Sequence, residues 1–217
     1  MLLELKRLTV PPGHQLLLSE VSWQEFEKIL AELGEKRSAR LSYSNGVLEI
    51  MTPLMGHETS KVLIGDLVKI MLDEMGLDYE PTGSTTFKNQ SMKQAVEPDE
   101  SFYIQNCQAV RGLQRVNLQV QPPPDLAIEI DITSRTKLDN YRLLGVPELW
   151  RYNGKTLQIN LLRSHSYLES EFSPTFPGIP LLDKIPQTIE QSKTVARGVL
   201  LKSFRRWFCD RLQSRDI

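Results

Sequence analysis

The sequence predicts an α/β (α+β) chain in which a mixed central β-sheet is flanked by helices. Three observations carry this. Segments with strand-like alternation and segments with helix-like spacing take turns along the 217 residues. One segment, "PPPDLAIEIDITS" over Pro122–Ser134, alternates apolar and polar residues cleanly enough to be a core strand. Helical stretches fall before, between and after the strands, as one packed domain requires.

The elements follow in chain order. "VSWQEFEKILAELG" is a helix: Ser22 is its N-cap, Glu25 completes a capping box and Gly34 ends it. In "ARLSYSNGVLEIMTP" two alternating runs flank Asn45-Gly46, the signature of a hairpin with a type I′ turn. "HETSKVLIGDLVKIMLDEMG" has apolar residues at 62, 63, 67, 70 and 71, which predicts a helix opening at His57 and closed by Gly76. "STTFKNQ" and "VEPDESFYI" are extended pieces, and residues 105–121 are irregular with room for a short helix. After Pro122–Pro124 comes the core strand, in which Leu126, Ile128, Ile130 and Ile132 point one way and Ala127, Glu129 and Asp131 the other. "TKLDNYRLLG" is a helix ending at Gly145. "PELWRYNGKTLQINLLRSHSYLESEFS" gives three strands with turns at Asn153-Gly154 and Ser164–Ser166, and "TVARGVLLKSFRRWFCDRL" is an amphipathic helix.

Composition bounds the rest. The chain is 40% hydrophobic and 24% charged, within the range of a globular protein, and its length fits a single domain over residues 1–217. Within it an N-terminal helix and hairpin occupy about 20–52, the core about 53–163 and a strand-and-helix extension about 164–217. A net charge of −1 supplies no global pull toward nucleic acid or membrane. Cys107 and Cys209 stand far apart with no CxxC pair, so free thiols are expected and a zinc knuckle is not. No run approaches the roughly 20 apolar residues of a membrane span, and the start "MLLELKRLTVPPG" is too charged for a signal peptide. A cytoplasmic protein without membrane contact is the expectation.

The chemistry gathers around two acidic strands. Asp99 follows a proline in "VEPDESF", and Glu129 lies 30 residues on in "LAIEIDI". Carboxylates on adjacent strands converge on a hard ion such as Mg²⁺ or Mn²⁺, which removes their mutual repulsion. Lys137 follows Glu129 by eight residues. If the chain turns at Thr133-Ser134, that lysine folds back over the strand's end, within reach of a scissile phosphate or of the attacking water. Acids, metal and cation together make a phosphodiester-hydrolysis site. Each residue also has a plainer reading. Asp99 would then be a strand-start acid, Glu129 an acid on a solvated face, and Lys137 a solvent-facing helix residue. Ser134 is a helix cap before it is a phosphate ligand. Basic residues of the last helix, Lys193, Arg197, Lys202, Arg205, Arg206 and Arg211, interleave with Trp207 and Phe208. A solvated face over an apolar stripe is favoured there above a nucleic-acid-binding strip.

The ordered set "NGVLEIMTP…H", "EPD", "LAIEID" and "TKLDNYRLLGVPELWRY" resembles the PD-(D/E)XK nuclease superfamily. More narrowly, it is similar to a bacterial family of restriction-endonuclease-like proteins abundant in cyanobacteria. The resemblance runs from about Trp23 to Phe208 and rests on Gly46, Glu49, His57, Pro98-Asp99, Glu129, Lys137, Tyr141 and Gly145–Glu148. It implies a restriction-endonuclease-like core and a metal-dependent endonuclease acting on nucleic acid, DNA foremost. It implies Asp99, Glu129 and Glu49 as metal ligands or neighbours, and Lys137, Asp131 and His57 as catalytic support. Tyr141, Val146, Pro147 and Trp150 are read as structural. The superfamily places its lysine two residues after the second acid, where this chain has Asp131. The resemblance therefore hands the lysine's role to Lys137. It leaves Asp131 as a further metal ligand, an outer acid or a partner for Lys137.

In the expected mechanism, metal and Lys137 lower the pKa of a water that attacks phosphorus, and they then stabilise the pentacovalent charge. Two other readings stand beside it: a nuclease fold with a degraded site acting as a binding or assembly module, and a hydrolase of small phosphoesters. A homodimer is expected, because a two-fold axis matches duplex DNA.

Overall fold

The computed structural model describes residues 8–34, 37, 39–132 and 137–214. The turn at Thr133-Ser134 and the cap expected at Ser134 lie outside the described residues.

The N-terminal third supplies three strands of one sheet. Strand β1 (Gln15–Leu18) leads to helix α1 (Trp23–Leu33), then β2 (Arg40–Ser44) and β3 (Val47–Met51). The expected capping box opens α1: the Glu25 amide donates to the Ser22 hydroxyl at 3.2 Å, and the Ser22 amide donates to the Glu25 carboxylate at 2.8 Å. Asn45 and Gly46 take positive φ of 46° and 87°, as a type I′ turn requires. Leu41, Tyr43, Leu48 and Ile50 point to one side and bury against Trp23 and Phe26 of α1. The alternate residues, Arg40, Ser42, Glu49 and Met51, point the other way.

Helix α2 (Met55–Glu74) begins two residues before the expected start at His57. Leu63, Leu67, Ile70 and Met71 are buried as the spacing predicts, but Val62 is exposed, and Ile64 and Val68 complete the face instead. After β4 (Glu80–Pro81) come β5 (Phe87–Asn89), β6 (Gln94–Val96) and β7 (Glu100–Tyr103). Beyond a 3-10 turn (Cys107–Ala109), β8 (Leu126–Ile130), α3 (Leu138–Leu144) and β9 (Glu148–Tyr152) follow. The rest is β10 (Leu157–Arg163), β11 (Ser166–Ser170), α4 (Leu181–Gln191) and α5 (Arg197–Gln213).

The strands divide into two sheets. A five-stranded antiparallel sheet runs β1-β3-β2-β6-β5, and a six-stranded mixed sheet runs β11-β10-β9-β8-β7-β4. The piece "VEPDESFYI", read from sequence as one extended stretch, is where the chain passes between them: β6 belongs to the first sheet and β7 to the second. Pro98 sits at the crossing, where a missing amide N–H interrupts no ladder. In the second sheet β8 and β9 are parallel, with α3 as the crossover that a parallel pair needs.

The two faces of β8 meet different layers. Leu126, Ile128 and Ile130 pack with Trp150 and with apolar residues of α2, α4 and α5. Ala127 faces Tyr141 and Leu144 of α3, together with Phe87 and Val96 from the first sheet. Ile132, expected on the strand's core face, lies beyond its end and is exposed. α4 was not expected, because Pro180 precedes it and Pro186 lies inside it. Its buried Leu181, Ile185 and Ile189 nevertheless keep helical spacing. On α5, Leu200, Phe204 and Phe208 are buried, while Arg197 pairs with Asp66 and Arg205 with Glu74 of α2, as a solvated face over a docked stripe requires. Among the described residues no helix is long and apolar enough to cross a membrane.

Asp125 ties the entry of β8 to the exit of β7. Its carboxylate accepts from the amides of Ile104 (2.7 Å) and Asn106 (3.0 Å), and its own amide donates to Phe102. Removing the carboxylate strands two amides, one of them buried. Asp125→Ala is expected to lower Tm by about 4–10 °C in a thermal melt. An unchanged Tm would show that the clasp is dispensable.

Candidate active site

Register brings the first two acids together. β7 and β8 pair antiparallel, with Glu100 opposite Ile128. One step further along the same ladder sets Asp99 opposite Glu129. The main chain continues the match: the Asp99 amide donates to the Ile128 carbonyl at 3.1 Å, and the Ile130 amide donates to Asp99 Oδ2 at 2.7 Å. Facing residues of an antiparallel pair share a side of the sheet, and two carboxylates there repel.

The fold answers that repulsion unevenly. Asp99 is 1% exposed and surrounded by donors. His57 Nε2 lies 2.7 Å from its Oδ1, and Arg40 Nε lies 3.2 Å from the same oxygen. Burial pushes the Asp99 carboxyl up, but His57, Arg40 and the Ile130 amide together hold it below the ordinary carboxylate value. Glu129 is pushed well above the usual range, by burial first and by the Asp99 charge second. The Tyr141 hydroxyl donates to Glu129 Oε1 and offsets part of this. Burial first, and then the same contact, raises the Tyr141 phenol well above its ordinary value.

Helix α3 gathers the remaining pieces. Tyr141 reaches Glu129 of β8. Asn140 donates to the Ser42 hydroxyl of β2 at 2.6 Å. Lys137, the N-cap of α3, pairs with Glu49 of β3 at 3.1 Å. Its side chain is 49% exposed, so the ammonium stands at the rim. Glu49, Glu129, Lys137, Tyr141 and Arg40 line one cleft of about 60 Å³, enough for an ion with a few waters. His57 is wholly buried behind Asp99, and its Nδ1 has no hydrogen-bond partner among the described residues.

Asp131 takes a different course. The Arg151 Nε donates to its Oδ2 at 2.8 Å, and both side chains are nearly buried. Arg151 is the register partner of Glu129 on the parallel strand β9. Of the alternatives for Asp131, pairing with Lys137 is replaced: Lys137 meets Glu49, and Arg151 meets Asp131. The position that carries a lysine in the superfamily thus holds an acid neutralised by a cation from the next strand.

Sequence reasoning missed Arg40 and Glu58. Ligand atoms of His57, Glu58 and Asp99 lie within 4.8 Å of one another. Arg40 touches the Pro98 carbonyl at 3.0 Å and Glu58 at 3.4 Å. Glu58 follows His57 directly in the chain, a signal that was available. Arg40 had none, because its neighbours come from 18 and 58 residues away. Tyr141, read as structural, is both buried and bonded to Glu129. Its place four residues after Lys137, one helical turn, could have drawn it into the site. The donor set of carboxylates with one imidazole suits a divalent ion.

An α+β fold carrying this acid-lined cleft is a restriction-endonuclease-like protein. The chain belongs to the Uma2 family, whose profile, described as "Putative restriction endonuclease", matches residues 23–192. The match starts at Trp23, as the resemblance had it, and stops short of α5 rather than reaching Phe208. Among solved structures, the chain is similar to "a putative nuclease belonging to DUF820 from Anabaena variabilis ATCC 29413" at 14% identity. That likeness covers 85% of this chain and 97% of the other, with a TM-score of 0.49. No curated protein matches.

The charge imbalance makes a stability prediction. A carboxyl raised in the fold costs stability above its unfolded pKa, and the cost grows as pH rises toward the folded value. Glu129→Gln keeps the shape and an acceptor for Tyr141 but removes the charge. In metal-free buffer it should raise Tm by a few degrees near pH 7. The gain should shrink as pH falls toward the ordinary glutamate value of 4.5. A variant that melts below wild type at pH 7 would show that Glu129 is not under charge stress.

Proposed function

We propose that this chain is a metal-dependent endonuclease that hydrolyses phosphodiester bonds of nucleic acid, with DNA as its substrate. The observation that carries this is the facing pair Asp99 and Glu129, with Asp99 buried behind and Glu129 in the wall of a cleft whose rim bears Lys137. Asp99 and Glu129 would hold Mg²⁺ or Mn²⁺, with Glu49 and Glu58 beside them. When bound, such an ion supplies charge neutralisation for the phosphoryl oxygens and an acidified water.

The chain's own residues do the positioning. His57 and the Ile130 amide fix the Asp99 carboxylate, so its oxygens do not rotate. Tyr141 fixes one oxygen of Glu129. Lys137 stands half in solvent, where its ammonium can meet an incoming phosphate and the negative charge that builds up on it. Glu49 holds that ammonium over the cleft.

Cleft size supports a polymer over a small phosphoester. About 60 Å³ is far below the roughly 300 Å³ of a pocket that buries an organic ligand, so the substrate lies across the mouth and offers only its phosphate. The reading as a degraded module drew on Asp131, and Arg151 offsets that charge. A homodimer, with one cleft for each strand of a duplex, belongs to this proposal.

Supercoiled plasmid and single-stranded DNA, each with Mg²⁺ and with Mn²⁺, test it. Wild type should cut, Asp99→Ala and Glu129→Gln should fall to background, and Lys137→Ala should lose about 10²–10³ in rate. Cutting by Asp99→Ala purified identically would sink the assignment. Tyr141→Phe adds a finer check. The Tyr141 bond lowers the Glu129 pKa, so its loss should move the acid limb of the rate profile to higher pH. A shift to lower pH, or none, would remove Tyr141 from the site.

A further inference from the structure

A cleft too small for a nucleotide leaves open where the strand beside the scissile bond would lie. A larger groove, of about 450 Å³, opens next to it and shares Arg40 and Glu97 with it. That volume falls in the range that seats an organic ligand. Thr52, Ser84, Glu58 and Lys61 add to its walls. Two other cavities, of about 570 and 420 Å³, border α1 and reach none of the candidate site acids.

The groove's charges are arranged in two ways. Arg37 is committed: it pairs with Glu97, which also accepts from the Leu41 amide at 3.0 Å. Arg40 is held from within, 3.2 Å from Asp99 and donating to the Pro98 carbonyl at 3.0 Å, but its outer side and Lys61 are held more loosely. One carboxylate, Glu58, reaches both, with Oε1 3.4 Å from Arg40 and Oε2 3.4 Å from Lys61. Glu58 is 41% exposed, whereas the side chains of Arg40 and Lys61 are only 13% and 14% exposed. Glu58 thus reaches two tucked-in cations at long range, and one of them, Arg40, has Asp99 on its inner side. Such a pairing is weak and readily exchanged for a better acceptor. A phosphodiester offers two anionic oxygens of similar spread to a carboxylate and suits a guanidinium well.

We propose that this groove seats the nucleotide next to the scissile phosphate, with Lys61 and the outer side of Arg40 as its phosphate contacts and Glu58 as the anion that meets both in the protein alone. The proposal rests on the nuclease reading for its register and names where that substrate's backbone runs. Glu58 is a gate as well as a neighbour of the Asp99 cluster. Any cation drawn to Glu58 and Asp99 releases Arg40 and Lys61 toward phosphate, so metal and strand favour each other's binding.

The test is the anisotropy of a fluorescein-labelled, mixed-sequence single-stranded oligonucleotide in metal-free buffer, titrated across salt. Lys61→Ala should weaken binding alike for unrelated sequences and reduce the magnitude of the log K against log salt slope by about 0.7. Lys61→Arg should restore it. Glu58→Gln should tighten binding relative to wild type, a gain that a merely structural role does not produce. No binding by wild type at low salt, an unchanged slope in Lys61→Ala, or no gain in Glu58→Gln would overturn the proposal. The plasmid assay separates it from the nuclease reading. A chain that binds in this pattern and cuts nothing keeps the groove and loses the enzyme. A chain that cuts with KM unchanged in Lys61→Ala keeps the enzyme and loses the groove.

Discussion

The ladder between β7 and β8 sets Asp99 opposite Glu129, and the rest of the site depends on that one register. The Ile130 amide fixes it from the strand side by donating to Asp99. A slip of β8 by one residue would turn Glu129 to the opposite face of the sheet, among Phe102 and the apolar side chains of α2. The burial of Leu126, Ile128 and Ile130 against α2, α4 and α5 forbids that slip. Core packing on one side of β8 therefore enforces an electrostatic conflict on the other.

Each surrounding element responds to that conflict. α2 brings His57 and Glu58, β2 brings Arg40, α3 brings Tyr141 and Lys137, and β9 brings Arg151. They come from both sheets because the chain changes sheets at Pro98, one residue before Asp99. β6 stays with β2, and β7 goes to β8. The crossing places the polar faces of β2 and β3 against β8 and α3, so that Arg40, Ser42 and Glu49 look into the same cleft as Glu129. Two separate sheets are thus what lets one strand end meet cations from so many directions.

Local signals in the sequence reach as far as local physics does. The capping box of α1, the Asn45-Gly46 turn and the alternation of β8 are all settled within a few residues, and they read true. The division into two sheets was hidden because β2 pairs with β6 across some fifty residues. β1 has only four residues, "QLLL", with no clear alternation. α4 was masked by Pro180 at its start and Pro186 in its middle, a position where proline costs a backbone hydrogen bond. At the site, Asp99, Glu129, Lys137, Glu49 and His57 announce themselves as acids, a lysine and a histidine at telling spacings. Their partners do not. Arg40 and Arg151 are ordinary strand residues until register sets one beside Asp99 and the other beside Asp131.

That distinction also answers why a buried strand carries two acids on one face. Asp131 is a solved problem, since Arg151 neutralises it from the adjoining strand, and the pair fastens the ends of β8 and β9. Asp99 is solved by His57, Arg40 and a main-chain amide. Glu129 accepts from the Tyr141 phenol, and burial with the Asp99 charge holds its carboxyl well above the ordinary range. A fold optimised only for stability would have placed a glutamine or a cation there. The three acids share a neighbourhood, and Glu129 is the one whose carboxyl is raised well above the ordinary value. That one faces the cleft, within reach of what Lys137 guards. A carboxyl raised by burial and a neighbouring charge would be relieved by positive charge from outside the chain, which the proposed divalent ion would supply.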